Sequence, residues 1–442
     1  MILYFLTPKK YRNFVLLIIS LIFYSWGEPK YFVLMIASIL VDYLASHGIE
    51  KNRHNKKKAI VFLLMSIVFN LGMLFFFKYM NFVIGNLNEF LGLALKEVAI
   101  TLPLGISFYT FQTMSYTIDV YRGEVSAEKN IINFGAYVCL FPQLIAGPIV
   151  KYRDVNEELN NRNVHMDQIN AGIRQFVLGL GRKVLLANNM GMLWSEVERI
   201  GFNNISTPLA WLGILAFAFQ IYFDFSGYSL MAIGLGNIMG FKFPQNFNFP
   251  YISRSITEFW RRWHMTLGSW FREYVYIPLG GNRVSKGRIF LNLFVVWSLT
   301  GIWHGANYNF LLWGLFFFVL ISVEKLGLLK VLDKHRIFSH CYTIFFLLIG
   351  WSIFAIVDMD QLLMFFNRLF IFRSGEDWLY YLRNYAGVFI ISAIFSTPII
   401  ANMYKKVREN KWIDMIILMS LFLISVAYLV DSTYNPFLYF RF

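Results

Sequence analysis

Two histidines, His264 and His304, are the side chains in this sequence best placed to do chemistry. Of seven histidines, His47, His54, His165, His335 and His340 fall in or beside charged or polar loops. His264 stands in the run Phe-Trp-Arg-Arg-Trp-His (259–264), and His304 follows 40 residues later in Gly-Ile-Trp-His-Gly-Ala-Asn (301–307). Each has a tryptophan beside it and lies among aromatic and apolar residues. A neutral imidazole is an effective general base near neutral pH, and removal from water favours that neutral form. A lone buried histidine is more often structural. A pair, each near Gly or Pro breaks, leaves structural and reactive roles evenly balanced on these grounds alone. Zinc needs three or four ligands, and no third His, Cys or carboxylate keeps a suitable spacing, so no metal is expected. There is no G-x-S-x-G elbow, no Walker loop and no G-x-G-x-x-G before a helix, which leaves those chemistries unsupported.

The elements that must position these groups are membrane helices. The chain of 442 residues is 57% hydrophobic, 19% aromatic and only 15% charged, with a mean hydropathy of +0.52; soluble domains carry about 25% charge. Apolar runs long enough to cross a bilayer of roughly 30 Å recur from end to end. They are predicted at 2–25, 31–46, 59–84, 100–120, 134–150, 169–186, 208–223, 226–240, 254–277, 288–303, 307–330, 338–357, 360–373, 383–403 and 411–431. On the order of 10 to 13 of these elements enter the membrane. No internal repeat or linker stands out, so 1–442 is expected to form one all-α domain. No small-residue cleavage site separates the first run from the next, so it is expected to stay in the protein. Cys139 and Cys341 sit in apolar contexts and read as small core fillers.

The net charge of +14 reads as cytoplasmic loop bias, not nucleic-acid binding. Lys51–Lys58 is the strongest cytoplasmic marker, followed by Lys405–Lys411 and Arg283–Arg288; 196–207 and 358–360 read as outside. If 254–277 is one helix, Trp260, Trp263, His264, Leu267, Phe271 and Tyr274 share a face, with Arg261, Arg262, Met265 and Arg272 opposite. Arg261, Arg262, Arg272, Arg283, Lys286 and Arg288 form a basic cluster. It suits either snorkelling to the lipid interface or the phosphates of a coenzyme A thioester.

Three segments interrupt the apolar pattern. Leu102–Gln112 sets Pro103 and Gly105 at a helix start. Phe141–Ile149 carries two prolines in a short apolar run, predicting a broken or re-entrant element covered by protein or a wet cavity. Tyr222–Tyr228 places Asp224 in or beside a span, where it either caps the next helix or faces a partner in the interior.

These runs carry a resemblance. Pro-Leu-Gly-Ile-Ser-Phe-Tyr-Thr-Phe-Gln (103–112), Phe-Pro-Gln-Leu-Ile-Ala-Gly-Pro-Ile (141–149), Tyr-Phe-Asp-Phe-Ser-Gly-Tyr-Ser (222–229), the two histidine motifs, and Tyr-Ile-Pro-Leu-Gly-Gly-Asn-Arg (276–283) resemble the membrane-bound O-acyltransferase family. The branch they resemble contains alginate O-acetylation, peptidoglycan O-acetylation and teichoic-acid D-alanylation proteins. The resemblance implies a ring of tilted helices around a tunnel, open to an acyl donor from the cytoplasm of a bacterial cell. His304 would then activate an acceptor hydroxyl against the thioester, and His264 would orient or polarise the donor or assist proton transfer. Trp303 and Asn307 would lie near them, with Arg261, Arg262 and Arg272 toward the donor. The implied donor is acetyl-CoA, consumed as a substrate with no bound cofactor. The implied partner is a secreted or membrane-anchored SGNH-type transferase or esterase that modifies a polysaccharide or cell-wall polymer. One departure is Leu230, where relatives of this kind read Asp after Gly-Tyr-Ser.

The chain ends Phe-Leu-Tyr-Phe-Arg-Phe (437–442). Such an ending is ordinarily an interfacial anchor. By resemblance to a C-terminal motif of this class, Tyr439 is instead expected to accept the acyl group transiently and hand it outward. Two rival readings need no such relay: a proton-coupled transporter using His264, His304 and Asp224, and acyl transfer to a lipid within the membrane.

Overall fold

The structure, a computed structural model, describes residues 1–431 and 438. Every regular element among them is a helix. Among the described residues, five helices are long and apolar enough to cross a membrane: Phe32–Lys51, Lys56–Leu91, Thr207–Met239, Arg336–Ala355 and Lys411–Asp431. Asp377–Phe395 and Pro398–Val407 form a sixth candidate, bent by 76° where Pro398 opens its second half. The remaining predicted spans are shorter, interrupted or more polar, for local reasons. Pro103 delays the helix of 100–120 until Ile106, and 134–150 breaks after Cys139, with only Phe141–Leu144 helical beyond. Conversely, 208–223 and 226–240 join into one helix of 33 residues. Asp224 therefore caps nothing; it sits inside a continuous helix.

The described residues form two compact units. One comprises Met1–Ile173 with Ala232–Pro244, the other Arg174–Met231 with the described residues from Gln245 onward. In the first unit a polar network holds three apolar helices together. Asp42 accepts hydrogen bonds from Ser66 Oγ (2.5 Å) and Asn70 Nδ2 (2.9 Å), and Asn70 Oδ1 accepts from Ser38 (2.7 Å) and Thr113 (3.3 Å). Asp42, Ser66 and Asn70 are fully buried. In lipid the apolar faces of helices have no hydrophobic reason to prefer one another, so such bonds carry much of the pairing specificity.

The second unit carries both histidines. Its tightest hairpin joins Lys286–His304 to Tyr308–Val323. A Cβ on Gly301 would lie 2.4 Å from the Phe310 carbonyl oxygen, and one on Gly314 would lie 2.4 Å from that of Trp297. Only glycine permits this approach, the small-residue packing usual between membrane helices.

Candidate active site

The motif around His264 is not the single helix that its spacing predicted. Ile256–Arg262 and Met265–Phe271 are separate short helices, followed by a π-helical turn at Arg272–Tyr276. His264 occupies the break, with φ 43° and ψ 52°, a left-handed conformation unfavourable for a residue with a side chain. Such conformations persist where their surroundings over-determine them, and they concentrate at functional sites. Here the adjoining Met265 N–H donates to the Asn246 carbonyl oxygen at 2.9 Å, and the His264 carbonyl accepts from Gly268 N–H at 3.0 Å. The predicted division of side chains survives the break only in part. Trp263, His264, Leu267, Phe271 and Tyr274 are buried, Arg261 and Arg272 are exposed, and Trp260 and Arg262 are half-buried.

Asn246 also settles which imidazole nitrogen carries the proton. Its Oδ1 accepts from the Thr266 backbone N–H (3.2 Å) and hydroxyl (2.9 Å), so it must be an oxygen. His264 Nδ1, 3.1 Å from the same atom, is therefore the donor. In the neutral ring that leaves the lone pair on Nε2.

His304 ends its helix and is 7% exposed. Its ring packs against Trp303, Trp313 and Phe354, with centroids at 5.0, 5.0 and 5.2 Å. Trp303 also lies 6.1 Å from the His264 ring, and Phe225 meets His264 edge-on at 4.7 Å. One indole thus touches both imidazoles, and an aromatic enclosure keeps bulk water from them. Around it Trp260 packs on Trp297, Trp313 and Phe317, while Trp263 packs on Trp351.

The other predicted residues fall in different places. Asn307 is exposed at the start of the helix Tyr308–Val323, whereas Asn309 is buried, donating to the carbonyls of Ile353 and Phe354. Arg262 is tied to Glu258 at 2.9 Å and to the Asn248 carbonyl, so its head group is committed within the protein. Arg261 and Arg272 are exposed, as are Arg283, Lys286 and Arg288. Tyr439 lies outside the described residues. A polar cavity of about 570 Å³, lined by Glu196, Tyr381 and Asn384 among others, contains none of these side chains.

Two residues essential to the geometry escaped sequence reasoning. Asn246 belongs to Phe-Pro-Gln-Asn-Phe-Asn-Phe-Pro (243–250), whose concentration of amides and prolines between apolar runs was a usable signal. Glu324 is fully buried, and its carboxylate accepts from the backbone N–H groups of Ile256 (2.6 Å) and Thr257 (2.8 Å) and from the Thr257 hydroxyl (2.5 Å). It satisfies the otherwise unpaired donors that open Ile256–Arg262. A single acid at the end of a long apolar run was its signal.

An all-helical, multi-pass membrane protein with two enclosed imidazoles bridged by an indole defines the class. The sequence profile of the membrane-bound O-acyltransferase family matches residues 122–357, which include both histidines. Relatives extend the likeness. A probable alginate O-acetylase, AlgI, of Pseudomonas putida is 36% identical across 100% of this chain and 96% of its own length. Its namesake in Pseudomonas aeruginosa is 40% identical across 85% of this chain and 72% of its own. A peptidoglycan O-acetyltransferase of Helicobacter pylori is 30% identical across 97% and 91%. The chain belongs to the membrane-bound O-acyltransferase family and is an O-acyltransferase. That membership sets the transporter reading aside.

Proposed function

We propose that this enzyme takes acetyl from cytosolic acetyl-CoA and moves it across a bacterial cytoplasmic membrane for O-acetylation of an extracellular polysaccharide or cell-wall polymer. A secreted or membrane-anchored SGNH-type partner completes the transfer. The observation that carries this reading is the aromatic enclosure in which Trp303 packs near both His264 and His304. Two relatives named for O-acetylation of alginate and of peptidoglycan supply the acyl group and the acceptor class.

In this mechanism His304 removes the proton from an acceptor hydroxyl as its oxygen attacks the thioester carbonyl. The tetrahedral intermediate then expels the coenzyme A thiolate, the imidazolium returns the proton to that sulfur, and the acetyl group leaves as an oxygen ester. General-base assistance of this kind contributes about 10²–10⁴-fold. His264, its tautomer held by Asn246, orients the donor or assists the proton transfer. Arg261 and Arg272, exposed and outside the enclosure, meet donor phosphates. Tyr439 is the proposed hydroxyl that carries acetyl toward the partner.

The test uses Tyr439→Phe, which removes one oxygen and little volume. With the partner present, polymer O-acetylation should fall by about two orders of magnitude or more, the scale of a lost catalytic group. Delivery at the wild-type rate would remove Tyr439 from the relay. Acetylated membrane lipid as the main product would replace the polymer reading with lipid acylation.

A further inference from the structure

Asp224 is the one acid in the motif Tyr-Phe-Asp-Phe-Ser-Gly-Tyr-Ser, and the acyl-transfer mechanism gives it no task. It is 2% exposed, in the interior of the apolar helix Thr207–Met239. Two glycines bring a cation to it. A Cβ on Gly179 would lie 2.6 Å from the Gly227 carbonyl oxygen, and one on Gly227 would lie 2.8 Å from that of Gly179. This backbone contact lays the π-helical turn Arg182–Ala187 beside the carboxylate. Lys183 Nζ stands 2.7 Å from Asp224 Oδ1 and donates to Asn188 Oδ1 at 2.8 Å. Asp224 Oδ2 accepts a different bond, from the backbone N–H of Leu438 at 2.9 Å. Leu438 is itself 4% exposed and lies 214 residues further along the chain.

A buried ion pair is by itself a weak source of stability, and apolar replacements are often as good or better. What the pair supplies that a Leu–Met pair cannot is a charged acceptor, strong enough to hold a peptide N–H away from water. Because the bond is to backbone, it fixes the position of the chain whatever side chain stands at 438. Residue 439 follows by a single peptide unit.

We propose that Asp224, compensated by Lys183, is a positioning residue for the C-terminal end of the chain, which it grips at Leu438. The anchoring stands on these contacts alone. Its catalytic consequence rests on the acyl-transfer reading: losing the grip lowers the rate of acetyl delivery without changing recognition of the donor.

The experiment places a cysteine at the gripped residue (Leu438→Cys) in the full-length enzyme lacking its own thiols (Cys139→Ala, Cys341→Ser), and follows maleimide labelling in detergent. Single removal of Asp224 would strand a buried ammonium and endanger folding, so the decisive variant is Lys183→Met with Asp224→Leu. Labelling should accelerate about tenfold, the scale of a lost charge-assisted hydrogen bond. With Asp224→Asn in place of Leu, a neutral acceptor remains and labelling should fall between the two. Separately, Leu438→Pro removes the N–H donor and leaves the ion pair intact. It should lower kcat for acetyl delivery about tenfold or more while KM for acetyl-CoA stays within about twofold. Unchanged labelling in a double variant that elutes as folded protein overturns the proposal. If wild-type enzyme consumes no acetyl-CoA, the acyl-transfer reading fails, and the labelling result still decides the anchor.

Discussion

At the scale of single residues, His264 is held by what surrounds it, not by its own helix. Asn246 Oδ1 accepts from Thr266 twice and from His264 Nδ1, so one amide fixes both the ring's tautomer and the turn beneath it. Asn246→Ala should therefore lower kcat about 10–100-fold through misorientation of the ring, with KM for the donor nearly unchanged. Steady-state thioester consumption with purified enzyme measures this directly; an unaltered kcat would make Asn246 a packing residue only. The two histidines were legible in the sequence because aromatic neighbours and glycine breaks distinguish them from the five in polar loops. For Asn246 the amides and prolines around it marked the segment but not the role, which depends on a contact 18 residues away. The positive φ of His264 was not legible, because helical periodicity runs smoothly across the break.

At the scale of elements, short pieces are seated by buried groups at their ends. Glu324 closes the first turn of Ile256–Arg262, the segment that delivers Trp260, Trp263 and His264. Glu324→Ala leaves its donors unpaired in an apolar setting, at a cost of about 1–3 kcal/mol each. The apparent melting temperature in detergent should drop clearly, and Glu324→Gln, which keeps a carbonyl acceptor, should recover part of the loss. The hairpin carrying His304 depends instead on close backbone approach. Gly301→Ala sets a methyl against the Phe310 carbonyl and should cost about 1–3 kcal/mol by overpacking. A melting temperature equal to wild type would mean the hairpin relaxes freely. Sequence periodicity found most helices but misjudged continuity. It divided Thr207–Met239 between 223 and 226, beside Asp224, where an ion pair and the packing of Gly227 sustain one helix. It joined 254–277, where the conformation at His264 separates two.

At the scale of the whole molecule, composition made the membrane character and the all-α class plain, since a chain this apolar must satisfy its backbone internally. The histidine motifs pointed to the family that the profile then matched. The number of long apolar helices was less legible, because hydropathy alone does not reveal where a helix breaks, as at Leu140 and His264. Loop charge sets orientation. The turn between Phe32–Lys51 and Lys56–Leu91 carries His54 on its exposed surface. His54→Cys in a Cys341→Ser background should resist an impermeant maleimide on intact spheroplasts and react after permeabilisation. Labelling of intact spheroplasts would invert the topology and place the donor on the wrong side.

The central claim, acyl transfer by the enclosed imidazole, is tested most directly in proteoliposomes given labelled acetyl-CoA together with the SGNH-type partner. Wild type should consume thioester and pass label to protein or acceptor, and His304→Ala should lose about 10²–10⁴-fold of that rate. Thioester consumption by His304→Ala at the wild-type rate would contradict the account.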